Sequence, residues 1–154
     1  MGVDFVFFDA EEFVFQPDGG KYFIGSEHFA ENYVVRKPPY RYRSAVLLDM
    51  VGDRDLQIFQ EKFTMRSPKN RPLVESIWKT AQRLKVREFV ARTKYEVRDD
   101  HLALMEIAKI PSCDLIDFDC PYWHTTQDTP ENCSDLSLAK VGWVVHEWLK
   151  SAVK

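Results

Sequence analysis

Short runs of apolar residues recur along the chain and are separated by polar, turn-forming segments. The runs are rich in β-branched and aromatic residues, a composition that is typical of strands. They cover residues 3–8, 44–52, 56–59, 89–91 and 112–118. The run at 44–52 shows no polar alternation, as expected of a strand that is covered on both faces of its sheet. We expect each run to form a strand.

Amphipathic segments between the apolar runs predict helices. Ser26 is a candidate N-cap for a helix that ends near residue 33, and residues 67–68 are candidate N-cap and N1 positions of a second helix. The apolar residues of this second helix share one face: Leu73, Ile77, Ala81 and Leu84. A short helix opens at 99–101, and a long one covers about 134–151.

The alternation of strands with helices predicts an α/β fold. We expect a three-layer α/β/α sandwich with a mostly parallel mixed sheet. The length of 154 residues and the 45% of hydrophobic residues fit a single domain, residues 1–154. No shift in composition marks a second one.

Composition excludes several classes of partner. The 21 basic and 24 acidic residues leave a net charge of -3, which argues against nucleic acid. No run approaches the roughly 18 apolar residues that span a bilayer, and no signal-peptide pattern stands at the N-terminus. We therefore expect a soluble protein with no membrane partner, and the sequence assigns no compartment. The three cysteines fit no disulfide scaffold or zinc finger.

Acidic residues and histidines gather where the predicted strands end. They follow the first strand at Asp9, Glu11 and Glu12, the second at Asp49, and the later ones at 99–101 and 114–124. Carboxylates and imidazoles that meet at one sheet edge repel unless protons or a cation separate them. Zinc accepts these ligands, and a neighbouring carboxylate can act as a base. Each group also has a simpler interpretation. Glu11 and Glu12 could be surface charges, Asp49 a hydrogen-bonded acid in the core, and His124 a histidine of a surface loop.

Five motifs, in order, resemble the zinc exopeptidases that include the co-catalytic metallo-aminopeptidases and the animal-type glutaminyl cyclases. They are FFDAEE at 7–12, IGS at 24–26, LLDMVG at 47–52, DDH at 99–101 and WHTTQDTP at 123–130. Ala10 stands where the family has glycine. The resemblance implies the α/β/α zinc exopeptidase fold and covers residues 3 to 134, most of the chain.

The resemblance also implies roles for particular residues. Glu11 corresponds to the general base, Glu12 and His124 to ligands of one zinc ion, and Asp49 to a ligand of a second zinc where two are present. Further residues correspond to positions around the metal or the substrate pocket: Asp99, Asp100, His101, Asp114 and Trp123. Asp99 resembles the acid that hydrogen-bonds the base in cyclases, and Trp123 resembles a pocket wall.

The implied activity is zinc-dependent cleavage of the N-terminal peptide bond, with a peptide N-terminus as substrate. Asp114 falls where cyclases carry a histidine, and residues 125–129 resemble the peptidase version, so both favour the aminopeptidase branch. The alternatives are a glutaminyl-peptide cyclotransferase, in which the base moves a proton from the α-amine to the leaving ammonia, and a non-catalytic binding or assembly module.

One departure concerns the metal site. The family supplies a histidine and a bridging aspartate ahead of the Glu-Glu strand, where this chain has only residues 1–4. The chain therefore resembles the C-terminal part of the catalytic domain, N-terminally incomplete. Neither zinc reaches the three protein ligands of a catalytic site, so we expect weak zinc binding and little hydrolysis. A free edge at strand 3–8 would favour a homo-oligomer.

Overall fold

The computed structural model of the chain describes residues 2–14 and 20–152. Its strands are β1 (Ala45–Asp49), β2 (Ile58–Gln60), β3 (Phe89–Thr93) and β4 (Ser112–Ile116). Its α-helices are α1 (Ile24–Arg36), α2 (Lys62–Arg66), α3 (Arg71–Leu84), α4 (His101–Glu106) and α5 (Asp135–Ala152). A short 3-10 turn, Pro130–Asn132, precedes α5.

The strands pair in parallel. β1 pairs with β4, with Ala45 opposite Ser112 at one end of the ladder, and β2 pairs with β3, with Ile58 opposite Phe89. Parallel pairs need crossover connections, and α3 and α4 both lie in such connections along the chain. The predicted α/β class with parallel strands is therefore confirmed.

Helices cover both faces of the β1–β4 pair. Val46, Cys113 and Leu115 point to the side of α3 and α5, where the main apolar core lies. Ala45 points to the other side and packs with the apolar residues of α1 and α4, because successive residues of a strand point to opposite faces. The result is the three-layer arrangement that the sequence predicts.

The predicted helices form, but two boundaries differ. The second predicted helix, α3, begins at Arg71 rather than at residues 67–68, with Asn70 at its N-cap and a proline in its first turn. Its apolar face is confirmed, since Leu73, Ile77 and Ala81 are buried and Leu84 packs against them. Ser26 lies within α1 and does not cap it. Helix α2 was not expected.

The predicted strand at residues 3–8 is wrong in the structure. The segment forms no strand, and the side chains of Phe5 and Phe7 are 86% and 93% exposed. Two residues of the segment contact the rest of the chain: the exposed Asp4 accepts a hydrogen bond from the Tyr42 hydroxyl at 2.7 Å, and the half-buried Phe8 packs edge-on against a helical phenylalanine. A strand needs a neighbour for its backbone groups, and none of the strands in the described part of the chain pairs with this segment.

None of the helices within residues 2–14 and 20–152 is long and apolar enough to cross a membrane.

Candidate active site

A turn held against the start of α1 presents the two adjacent glutamates. The N–H groups of Phe23 and Gly25 donate to the carbonyl oxygens of Glu11 at 2.8 Å and Asp9 at 3.1 Å. Between them Ala10 adopts a left-handed backbone, with φ at 56°. This conformation is strained for a residue with a side chain and is more often found at functional sites. The turn therefore fixes the backbone from which Glu11 and Glu12 project.

Glu11 lies among other carboxylates. Partial burial, followed by the negative charges of Glu12, Asp100 and Asp49, raises the pKa of Glu11 from 4.5 to about 7, although the nearby His124 opposes the shift. A carboxyl group with a pKa near neutrality can accept a proton and return it at the same pH. Glu11 has the electrostatic setting of a general base.

The acids around Glu11 come from the end of β1 and the start of α4. Burial is the main cause that raises the pKa of Asp49, and it also raises that of Asp100. It raises the pKa of Asp99 to about 7, with further contributions from Asp49, Asp100 and Glu11. Helix α4 packs on β1 and β4, so these elements bring the acids together. Near neutral pH the cluster shares protons.

Glu12 and His124 are in direct contact on the surface. The distance from Glu12 Oε1 to His124 Nε2 is 2.5 Å, and both side chains are more than half exposed. Trp123 stacks on the His124 ring with a centroid distance of 4.4 Å. His124 also has a left-handed backbone, with φ at 57°. The structure therefore brings together two of the residues that the resemblance implies for one zinc ion.

The donor set falls short of a catalytic zinc site. A carboxylate oxygen and an imidazole nitrogen suit zinc, but a catalytic zinc has three protein ligands. Within residues 2–14 and 20–152, no group of three or more histidine, cysteine or acidic side chains could hold a metal ion. Asp49 is electrostatically coupled to Glu12, but it does not complete such a group. A catalytic zinc ion at this place would need a third protein ligand that the described residues do not supply.

His101 and Asp114 do not line an open pocket. Both side chains are fully buried, and His101 lies between Asp114 and Glu61. Glu61 is a further buried acid that is not among the residues expected at the site. Its carboxylate caps α2 by accepting the N–H groups of Phe63 and Thr64. The sequence offers one weak signal for Glu61, because a side-chain oxygen at an N-cap can accept the N–H of the third helical residue, here Thr64.

Comparisons with known proteins agree with this arrangement. The model of peptidase family M28 matches residues 1–149. The chain is similar to the solved glutaminyl cyclase of Fimbriiglobus ruber, with 38% identity, a TM-score of 0.86, and coverage of 92% of this chain and 50% of that one. It is also similar to a Zn-dependent exopeptidase from Parabacteroides distasonis, with 33% identity, a TM-score of 0.76, and coverage of 90% and 51%.

A leucine aminopeptidase precursor from Bacteroides thetaiotaomicron shows 27% identity, a TM-score of 0.80, and coverage of 90% and 49%. No curated protein matches the chain. The fold and these matches define a domain of the zinc exopeptidase and glutaminyl cyclase class. The chain belongs to peptidase family M28, and it spans about half the length of the solved structures that it matches.

Proposed function

We propose that this site acts on the N-terminus of peptides and contributes to the cyclisation of N-terminal glutamine. The observation that supports this function is the pair Glu11 and Asp99, two interacting carboxyl groups whose pKa values both lie near 7. Cyclisation requires one proton to leave the attacking amine and another group to receive it. A carboxyl that is half protonated at neutral pH suits that transfer.

The proton balance of the reaction assigns one role to Glu11. The α-amino nitrogen attacks the side-chain amide carbon of the substrate glutamine, the ring C–N bond forms, and the bond to the side-chain NH₂ breaks. Glu11 takes one proton from the amine nitrogen and gives it to the departing NH₂, which leaves as ammonia. The negative charges of Glu12, Asp100 and Asp49 favour the protonated form of Glu11, and Glu11 in turn raises the pKa of Asp99.

The position of Asp114 no longer favours the peptidase branch. A side chain that assists a substrate oxyanion has to reach the substrate, whereas Asp114 is fully buried and faces His101. Its identity therefore does not separate the two reactions. The 38% identity to a solved glutaminyl cyclase supports the cyclase.

Aminopeptidase activity is the second candidate. Glu11 could equally remove a proton from an attacking water molecule, and the chain is 33% identical to a solved Zn-dependent exopeptidase. Zinc chemistry would polarise the substrate carbonyl in either reaction. The described residues supply too few ligands to hold a catalytic zinc ion by themselves.

The two reactions leave different products, which an assay on two peptides separates. One peptide begins with glutamine and the other with leucine, and each is incubated with the chain and zinc. The chain is tested alone and also fused to the part of the Fimbriiglobus ruber glutaminyl cyclase that it does not match. Ammonia release and mass spectrometry detect cyclisation, while release of free leucine detects hydrolysis. Glu11→Gln is compared with Glu106→Gln, which alters an exposed glutamate at the end of α4.

We expect ammonia release from the glutamine peptide that is lost in Glu11→Gln and kept in Glu106→Gln. Release of free leucine that is lost in Glu11→Gln and kept in Glu106→Gln would instead identify the site as that of an aminopeptidase. Absence of both products from the chain and from the fusion would favour a non-catalytic binding or assembly module.

A further inference from the structure

Three buried ionisable side chains form a continuous row beneath the Glu11 cluster. His101 is fully buried, with Nε2 3.7 Å from Glu61 Oε2 and Nδ1 3.6 Å from Asp114 Oδ2. Glu61 is 2% exposed and Asp114 is 0% exposed. The three residues come from the start of α2, the start of α4 and the middle of β4, so the row ties three elements together.

The two ends of the row have opposite protonation tendencies. Burial alone would raise the pKa of Glu61, but His101 and the N–H groups of Phe63, Thr64 and Val97 outweigh it and lower the pKa. Burial raises the pKa of Asp114 well above its usual range, and the neighbouring acids Asp99 and Asp49 add to the shift. The surroundings therefore favour the ionised form of Glu61 and the protonated form of Asp114.

Each ring nitrogen of His101 faces a buried carboxyl group at 3.6 or 3.7 Å, a distance longer than a hydrogen bond, and burial favours a proton in each of the two contacts. Both nitrogens of the His101 ring and both carboxylate oxygens of Asp114 have no hydrogen-bond partner among the described residues. A nitrogen lone pair that faces a carboxylate lone pair in a buried site is strongly unfavourable. Either His101 is doubly protonated or its Nδ1 accepts a proton from Asp114. Both states contain two protons and one net negative charge, so they differ only in where one proton lies.

The row also fixes a turn next to the proposed base. His101 directly follows Asp99 and Asp100, the acids that interact with Glu11, and the Leu102 N–H donates to the Asp99 carbonyl at 2.9 Å. A buried histidine that lies between two carboxyl groups restricts the backbone that places these acids. Displacement of the turn would change the distance between the acids and Glu11.

We propose that His101 is a positioning residue that, held by one proton in each of its contacts with Glu61 and Asp114, fixes the Asp99–Asp100 turn beside Glu11. Its link to catalysis rests on the proposed function, but the row itself does not. The experiments below need no turnover. A chain that passes them but shows no activity, alone or in the fusion, would therefore overturn the proposed function and leave the positioning role in place.

Ring-nitrogen NMR of the full chain detects the protons directly. We expect Nε2 of His101 to carry a proton, and Nδ1 either to carry a proton or to accept a hydrogen bond from Asp114. In Asp114→Asn, whose side chain has no acidic proton to share, Nδ1 should be an unprotonated acceptor. Asp117→Asn, which changes another fully buried acid of the same chain segment, should leave both signals unchanged. An Nε2 that carries no proton, or an Nδ1 that neither carries a proton nor accepts a hydrogen bond in the unsubstituted chain, would overturn the proposal.

Amide hydrogen exchange at Leu102 detects the turn. We expect His101→Leu to accelerate exchange of the Leu102 amide by about tenfold or more, with little change at Ile77 in α3. His101→Gln keeps a donor toward Glu61 and should restore most of the protection. If His101→Leu does not fold, Asp114→Asn is used in its place, because it changes only one of the two contacts of His101. Its Leu102 exchange is compared with its Ile77 exchange in the same way. Unchanged Leu102 exchange in both variants, or equal acceleration at Ile77, would overturn the positioning role.

Discussion

The backbone of Gly25 lies directly against the backbone of Asp9. The Gly25 N–H donates to the Asp9 carbonyl oxygen at 3.1 Å, and a Cβ atom at Gly25 would lie 2.3 Å from that same oxygen. The close approach couples the first turn of α1 to the turn that presents Glu11. Only glycine allows both the contact and the hydrogen bond.

Substitution of this glycine should therefore affect stability and the active-site turn together. We expect Gly25→Ala to lower the free energy of unfolding by roughly 1–3 kcal/mol, because the clash is with backbone that cannot move aside easily. Thermal unfolding measures the change. Gly142→Ala is the matched control, since a Cβ there meets nothing within 4 Å, and helix propensity predicts a gain of up to about 1 kcal/mol. Equal effects of the two substitutions would contradict the close approach as the cause.

The elements that local patterns specify were predicted well. Strand β1 and strand β4 are continuous apolar runs, and α3 has a clear apolar face, so composition and period identified all three. The start of α3 was misplaced because a serine–proline pair is also typical of turns, and Ser67 to Asn70 form a turn in the structure. Residues 3–8 look like a buried strand for the same local reason. Strand formation there requires a partner strand, which a local pattern does not specify.

The active-site region was predicted in part. Glu11, Asp49 and Asp99 lie in one electrostatically coupled cluster, but only Asp49 stands at the end of a strand in the structure. The resemblance groups Glu12 with His124, and these two side chains are in contact. The roles of these residues in metal binding and catalysis stay predictions. The sequence does not point to Glu61, because its partners Val97 and His101 lie far along the chain, Val97 36 positions away. Only the fold brings these residues together. No spacing rule reports such contacts.

The stability of the chain should depend on pH through the raised acids. Glu11 and Asp99 have pKa values near 7 when folded, above their unfolded values near 4, so the folded state binds more protons between these limits. The free energy of unfolding should fall as pH rises from about 4 through about 7, and it should level off above that range. Denaturant unfolding at several pH values measures the slope.

Asp99→Asn removes one of these acids and should flatten that slope, while Asp55→Asn, at an exposed loop position, should not. A stability that increases steadily between pH 4 and 7 in the unsubstituted chain would be inconsistent with raised pKa values in the cluster.

Zinc should bind weakly to the chain. Glu12 and His124 supply two ligands where a catalytic site needs three. Titration calorimetry should show weak binding that falls at least about tenfold in His124→Ala. His146→Ala, which alters an exposed histidine of α5, should leave the binding unchanged. Tight stoichiometric binding that survives His124→Ala would show that other residues hold the metal.

The exposed apolar residues of segment 3–8 should promote self-association. Phe5 and Phe7 are almost fully exposed, and exposed apolar patches with unpaired backbone groups favour pairing with another chain. Sedimentation should show an oligomer that the double substitution Phe5→Ser and Phe7→Ser disrupts. Val35→Ser changes a residue of α1 that is 77% exposed and should have no such effect. A chain that stays monomeric at all concentrations would refute an oligomer formed through this segment.

The protonation of Glu11 is the property on which the proposed chemistry depends most directly. A carboxyl ¹³C NMR titration of the full chain measures it without any requirement for turnover. We predict a midpoint for Glu11 at about pH 7, which Asp100→Asn lowers by removing one neighbouring negative charge. A midpoint near the ordinary glutamate value of about 4.3, unchanged in Asp100→Asn, would contradict the role of Glu11 as the group that moves the proton.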